Sequence, residues 1–301
     1  MKTNLSIVIP TYNDKCVSLV RQLQRQALPL AKKGLHYEIL VGDEGSSAEF
    51  LTANRVINAW SGCRYLERGF NAGRAAIRNF LAQQARYDWL LFIDADMLIV
   101  YEHFLRSYLE QPGEEQVIDG GVCVLEDEME LWTSNLRYHY EQAATAHYGA
   151  EQRQKNPYHD FHTANFLISR QLMLRHPFDE RFRRYGYEDV LLGKQLCQEH
   201  VGIRHIDNPV CFTSFESNDS FVSKTEEGLQ TLHQFRQELR GYSRLLTAAE
   251  GIHSGAMLAA IRTWHRLFGG MERRNLCGSR PSLSLFKIYK LGYYLTLTKK
   301  D

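Results

Sequence analysis

A chain of 301 residues with 44% hydrophobic content and a formal net charge of +1 suits one large α/β domain or two small ones. The near-neutral balance excludes a globally basic nucleic-acid binder, and no apolar run reaches the roughly 18 residues that cross a bilayer. The six cysteines (16, 63, 123, 197, 211 and 277) are scattered, with no C-x-x-C pair and no leader-like segment before the first strand, which predicts reduced thiols in a cytoplasmic protein.

The run 5–13, LSIVIPTYN, predicts a strand ended by Pro10 and then a loop. Helical spacing over 16–33 stops at Gly34. A second strand over 37–47 closes on an acidic, Gly-containing turn. A helix near 48–60, a weak strand at 63–66 and a Gly-bearing loop opening a strong helix (69–85) follow. The segment 88–97, DWLLFIDADM, is the next strand. Beyond it come a strand at 117–127, mostly helix over 129–155 with Tyr138, Tyr140 and Tyr148, strand then helix over 161–174, and a loop entering a helix over 177–200. A strand at 202–212 and a polar helix at 223–250 complete this part. Alternation of strand and helix predicts a mainly parallel sheet covered on both faces, with ligands beyond the carboxyl ends of its strands. Three polar turns fall at such ends: Thr11–Asn13, Asp43–Ser46 and Asp94–Asp96.

Asp94 and Asp96 interrupt a buried strand, and on an extended strand they would share a side. Two buried like charges repel and resist desolvation, and a hard cation relieves both costs. The ordinary alternative is a pair just past the strand that caps a helix or faces solvent. Asp43 and Glu44 fit either hydrogen bonding to a base or ribose or a plain Asx turn with Gly45. Gly73 lets backbone approach a ligand ahead of a helix N-terminus, and Arg74 and Arg78 share a face there, for phosphate or for solvent. Glu188 and Asp189 follow an aromatic-Gly turn and read either as N-terminal caps or as a general base pair. His159, His162 and His205 are candidate ligands, although a single His is more often structural.

Taken in order, SIVIPTYN, VGDEGS, NAGRAAIRN, FIDADM, TANFLISR, PFDERFRRYGYEDVLLG and HIDNPV resemble glycosyltransferase family 2, of GT-A fold, over residues 4–235. The resemblance implies a Rossmann-like nucleotide-binding sheet flanked by helices. It implies inverting transfer of a sugar from a nucleotide-diphosphate sugar, a UDP-sugar for preference, to a hydroxyl of a glycan or lipid-linked acceptor in cell-surface polysaccharide assembly. Thr11 and Tyr12 would close the nucleotide pocket. Asp43 would bind the base, beside Glu44 where the family has a second Asp. Arg78 and Asn79 match the nucleotide- or phosphate-contacting segment. Asp94 and Asp96 would hold Mg²⁺ or Mn²⁺ on the diphosphate. Asp189 would be the catalytic base, with Glu188 contacting the acceptor or positioning that base, and Asn165 lies in a segment lining the acceptor side. Phe212 stands where related bacterial members carry a His proposed to complete the metal site. Water and phosphate oxygens then fill the sphere, His205 serves instead, or metal binds more weakly. A nucleotidyltransferase and a non-catalytic sugar-nucleotide or glycan-binding protein of the same fold are the rival readings.

Residues 1–235 thus form the catalytic domain and 236–301 a helical, basic extension. From Gly251 onward there are nine Lys or Arg against two acidic residues. Met257, Leu258, Ile261, Trp264 and Leu267 form one stripe of a helix over 254–268. That stripe suits an anionic membrane surface, which would place the protein peripherally on the inner face of the cytoplasmic membrane. It equally suits packing on the catalytic domain or on a second copy in a homodimer.

Overall fold

The computed structural model describes residues 2–113, 116–125, 132–145 and 149–298. Its first half reads β1 (Asn4–Thr11), α1 (Val17–Ala31), β2 (His36–Glu44), α2 (Ala48–Asn54), β3 (Cys63–Arg68), α3 (Arg74–Gln84), β4 (Trp89–Ile93), β5 (Met97–Ile99) and α4 (Phe104–Leu109). The middle comprises β6 (Val117–Asp119), β7 (Val122–Cys123), α5 (Leu136–Thr145), α6 (Ala150–Arg153), β8 (Asn165–Ser169), α7 (Arg170–Arg175), α8 (Glu188–Gln198), β9 (Ile203–His205) and β10 (Val210–Phe212). Four helices end the chain: α9 (Asn218–Gln234), α10 (Arg244–Glu250), α11 (Gly255–Cys277) and α12 (Leu283–Leu297).

Seven strands form one sheet in the order β3-β2-β1-β4-β8-β6-β9. All pairs are parallel except those of β8, which runs against both β4 and β6. Leu5, Ile7, Val8 and Ile9 of β1 are fully buried, as a central strand covered on both faces requires. Each such side chain contributes about 1.5–3 kcal/mol by leaving water. The strand order reverses at β1, with β2 on one side and β4 on the other, which is where such sheets bind ligands.

Several elements differ from the sequence expectation. Pro10 lies inside β1, beyond the last residue paired with β4, so it interrupts no ladder on that side. The strand through Asp94–Asp96 is broken. Beta4 ends at Ile93, and the chain turns and re-enters as β5 of a separate three-stranded sheet, β5-β10-β7. The single strand at 202–212 likewise divides between the two sheets, and the helix at 223–250 divides into α9 and α10. Tyr148 and residues 129–131 lie outside the described residues.

The cysteine expectation is corrected. Cys123 and Cys211 face each other in the parallel register of β7 and β10 and are joined by a disulfide, while Cys16, Cys63, Cys197 and Cys277 are free. The bond ties together the small sheet that begins one residue after Asp96.

The C-terminal helices pack back on the rest of the chain. Phe182 and Leu191 share one apolar cluster with Leu229 and Leu232 of α9 and with Tyr294 and Leu295 of α12. The Ser254 and Ser282 hydroxyls accept from the amides of Met257 and Leu285, which fixes where α11 and α12 begin. No helix among the described residues is long and apolar enough to cross a membrane.

Candidate active site

Beta2 delivers Asp43 and Glu44 to the rim with their carboxylates already engaged. Asp43 has no exposed surface. One of its oxygens accepts from the Tyr65 hydroxyl at 2.5 Å and the other from the Ser46 amide at 2.8 Å. Ser46 and Asn13 then exchange bonds that knit the first two polar turns together: the Asn13 amide donates to Ser46 Oγ, and the Ser47 amide to Asn13 Oδ1. Glu44 is also buried. It accepts from the Ala72 amide at 2.6 Å and lies 3.2 Å from Arg68 Nη1. Both residues therefore help build the wall of the rim, with each Asp43 oxygen already accepting one bond from the protein. At the end of β1, Thr11 Oγ1 is buried with no hydrogen-bond partner among the described residues, an unmet group of the kind that a ligand or water satisfies, and Tyr12 beside it is exposed.

The break after Ile93 separates the two aspartates. Asp94 receives two arginines, Arg78 Nη2 at 2.7 Å on Oδ1 and Arg74 Nη2 at 2.8 Å on Oδ2. Asp96 has no ion pair among the described residues. Burial, and then the charge of Asp94, raise its carboxyl pKa above the usual range. Its backbone is fixed, since the Asp96 carbonyl accepts from both the amide and the hydroxyl of Thr213. The expected symmetric metal pair is thus an arginine-held carboxylate beside one that lacks a counter-ion.

Glu188 and Asp189 open α8 behind Gly186 and Tyr187, both at positive φ, so the turn is tight and the carboxylates meet the helix N-terminus. Glu188 is buried and shares the same arginines, with Arg78 Nη1 at 3.2 Å and Arg74 Nε at 3.5 Å. Burial raises its pKa, and the Arg74 charge opposes that shift. Arg78 is almost wholly buried and lies over the Phe178 ring. Two cations and two anions thereby form a closed network. Asp189 differs: it is half-buried, accepts from the Val190 amide of its own helix, and has no ion pair among the described residues.

Other expected site residues are engaged by the protein itself. Asn79 holds the 178–180 loop, donating to Phe178 O and Glu180 Oε1 and accepting from the Phe178 amide. Asn165 is saturated by the Tyr108 hydroxyl and by the carbonyls of Gly121 and Asn208. His205 is buried with Arg153 Nε on Nδ1 and the Pro157 carbonyl against Nε2, and burial lowers its pKa, so it presents no free nitrogen to a metal. His159 stacks on Tyr242, and the His162 amide donates to Asp119. Gly73, at φ 101°, is approached by protein, because a Cβ there would lie 3.1 Å from the Arg183 carbonyl.

Arg137 is a contributor that the sequence pattern did not single out. It stands on α5, pairs with Glu216 at 3.0 Å, lies 5.0 Å from the ring centre of Phe212 and contributes to the field at Asp96. Phe212 itself is opposite Met97 in the β5–β10 register, one position from Asp96. Its apolar ring supports a guanidinium at the position where the resemblance places a histidine. The available signal was the pair of charged residues, Arg137 and Glu141, spaced i, i+4 on one helix face.

The architecture is that of GT-A glycosyltransferases. A mannosyltransferase from Pyrobaculum calidifontis, solved with GDP-Man and Mn²⁺, superposes with a TM-score of 0.58 at 13% identity, covering all of this chain and 87% of the other. S. aureus TarS 1–349 in complex with UDP-GlcNAc gives 0.53 at 14% identity, covering all of this chain and 91% of the other. Glucosyl-3-phosphoglycerate synthase from Mycobacterium tuberculosis with Mg²⁺ and UDP gives 0.52 at 16%, covering 79% of each chain. The family model described as glycosyl transferase family 2 matches residues 6–175, more than half of the chain, and the chain belongs to that family. Among curated relatives, the chondroitin synthase of Escherichia coli is 23% identical over 69% of this chain and 34% of its own length. The hyaluronan synthase of Pasteurella multocida is 24% identical over 83% of this chain and 28% of its own length. The chain therefore spans about a third or less of these relatives.

Proposed function

We propose that the protein transfers a sugar, with inversion, from a nucleoside-diphosphate sugar to a hydroxyl of a glycan or lipid-linked acceptor, with Asp189 as the base. The observation that carries this reading is the division within the acidic pair. Glu188 is neutralised by two arginines, whereas Asp189, one residue on, has no ion pair among the described residues. A carboxylate at a helix N-terminus with one oxygen to spare can take the proton of an attacking hydroxyl. Glu188 acts through the arginines, fixing the start of α8 and therefore the position of Asp189.

The donor diphosphate belongs beside Asp96. This carboxylate lacks a counter-ion and is partly desolvated, which is the chemistry that fits a hard divalent cation. One carboxylate with phosphate oxygens and water suffices for Mg²⁺ or Mn²⁺, so neither Asp94 nor His205 is required as a ligand. When bound, the ion would neutralise charge on the departing diphosphate. Arg74, half-exposed at the same rim, supplies a further positive charge toward that group. Neighbours of this fold were solved with GDP-Man and Mn²⁺, with UDP and Mg²⁺, and with UDP-GlcNAc, which supports the donor class and leaves the base open. Resemblance to parts of chondroitin and hyaluronan synthases supports a role in polysaccharide assembly.

Product analysis tests the reading. Incubation with a panel of UDP- and GDP-sugars, Mn²⁺ and oligosaccharide acceptors should release nucleoside diphosphate and give a linkage of inverted anomeric configuration by NMR. Release of pyrophosphate would instead mark a nucleotidyltransferase. Donor binding with neither transfer nor hydrolysis would mark a binding protein.

A further inference from the structure

Alpha11 carries an apolar ridge that points away from the molecule. Met257, Trp264, Leu267, Phe268 and Met271 are exposed at 36–69% of full accessibility and recur at helical spacing along one stripe. The opposite face does the packing. Leu258 and Ile261 lean on the cluster of α9, α10 and α12, and Gly269, Glu272 and Leu276 are buried. The stripe expected from the sequence is thus shared between the two faces.

Single exposed apolar residues need no account, but five on one helix form a continuous surface. The chain also holds that surface in place. The buried carboxylate of Glu272 accepts from Trp264 Nε1 at 2.8 Å and meets His265 Nδ1 at 3.1 Å, while the Trp264 and Phe268 rings lie 4.4 Å apart. Ordering an exposed indole costs side-chain entropy that water alone does not return.

Charge decides what the ridge fits. Arg274 is exposed beside Leu267 at one edge of the stripe, Arg266 is exposed on the same side but about 100° of helical rotation further round, and Arg280 and Lys287 are exposed just beyond. Glu272, buried and engaged, is the one acidic residue between positions 251 and 298. A second copy docked on this ridge about a two-fold axis would present the same cations with no exposed carboxylate between positions 251 and 298 to oppose them. An anionic bilayer offers both an apolar boundary and negative charge. We propose that α11 docks the protein on an anionic lipid surface, with Trp264, Leu267, Phe268 and Met271 entering the headgroup boundary and Arg266 and Arg274 meeting lipid phosphates. This does not depend on the transferase assignment, because the ridge and the rim share no residue.

The test is co-sedimentation of the full chain with vesicles of phosphatidylcholine alone or mixed equally with phosphatidylglycerol, at low and high salt. The wild type should bind the mixed vesicles and release with salt. Leu267→Glu/Met271→Glu, at exposed positions, should keep the fold by circular dichroism and lose binding at least about tenfold. Arg266→Ala/Arg274→Ala should lose roughly twenty-five-fold on mixed vesicles, at about fivefold per cation near the surface, and nothing on neutral ones. The proposal falls if the wild type stays in solution, or if both variants bind as the wild type does. It falls equally if sedimentation velocity finds a dimer that the Leu267→Glu/Met271→Glu variant splits while vesicles bind neither form.

Discussion

The rim at the end of β2 and the rim formed where β4 gives way to β5 are both acidic, yet they are built on opposite principles. At the first, Asp43 and Glu44 are sealed: their oxygens meet Tyr65, Ser46, Ala72 and Arg68. At the second, Asp96 has no direct ion pair among the described residues, and across the arginine network Asp189 is in the same condition. Carboxylates satisfied by the protein shape the walls. Those left short of a partner have chemistry to spare, as functional groups commonly do.

Four substitutions test that contrast, from the largest expected effect downward. Asp189→Asn should keep donor binding by calorimetry and lower the transfer rate by about 10²–10⁴, the usual worth of a general base. Unchanged turnover would move the base elsewhere. Arg78→Ala leaves Asp94 and Glu188 to share the half-exposed Arg74 alone and should cost about 3–5 kcal/mol in urea unfolding, because breaking a buried ion network leaves charge under-compensated. Asp43→Ala leaves the Tyr65 hydroxyl and the Ser46 amide unsatisfied, for a loss of about 1–3 kcal/mol. A loss of donor affinity at unaltered stability would instead place Asp43 in the binding site.

Asp96→Asn should act in the opposite sense on stability. The native carboxyl has a raised pKa, so the folded state holds more protons than the unfolded one above the unfolded value. Stability therefore declines as pH rises through the folded pKa. The variant should lose that slope and melt roughly 2–4 °C higher at neutral pH, the response of a chain of this size to about 1 kcal/mol. It should also lose Mn²⁺-dependent nucleotide binding. In the wild type that binding should weaken as pH falls, since protons compete with the ion for the same oxygens.

The alternation of strands and helices was legible because local patterns set it: β-branched runs, and Gly34 as a stop. The functional turns were legible as turns. Their internal arrangement was not. Asp94 and Asp96 look equivalent at i, i+2 until the chain leaves one sheet and joins another, an event decided by the distant strand β10. Asn79 and Asn165 sit in segments of the right kind, but an asparagine that binds a ligand and one that binds its own backbone have the same letter. Arg137 reaches the rim from a helix some 40 positions later, and Cys123 and Cys211 are 88 positions apart, so no short window could join either to the site.

The small sheet beside Asp96 has a mechanical consequence. Thr213 grips the Asp96 carbonyl, β10 continues into Cys211, and a covalent link carries the restraint to β7. With Asp96 as the proposed ligand, so stiff a mount would leave it little room to move toward an incoming ion. Mg²⁺ requires near-ideal octahedral spacing, so on that proposal this corner would act as a gauge of ionic radius. Opening the sulfur bridge with a reductant would slacken the gauge, and the ratio of Mg²⁺ to Mn²⁺ affinity would register the change.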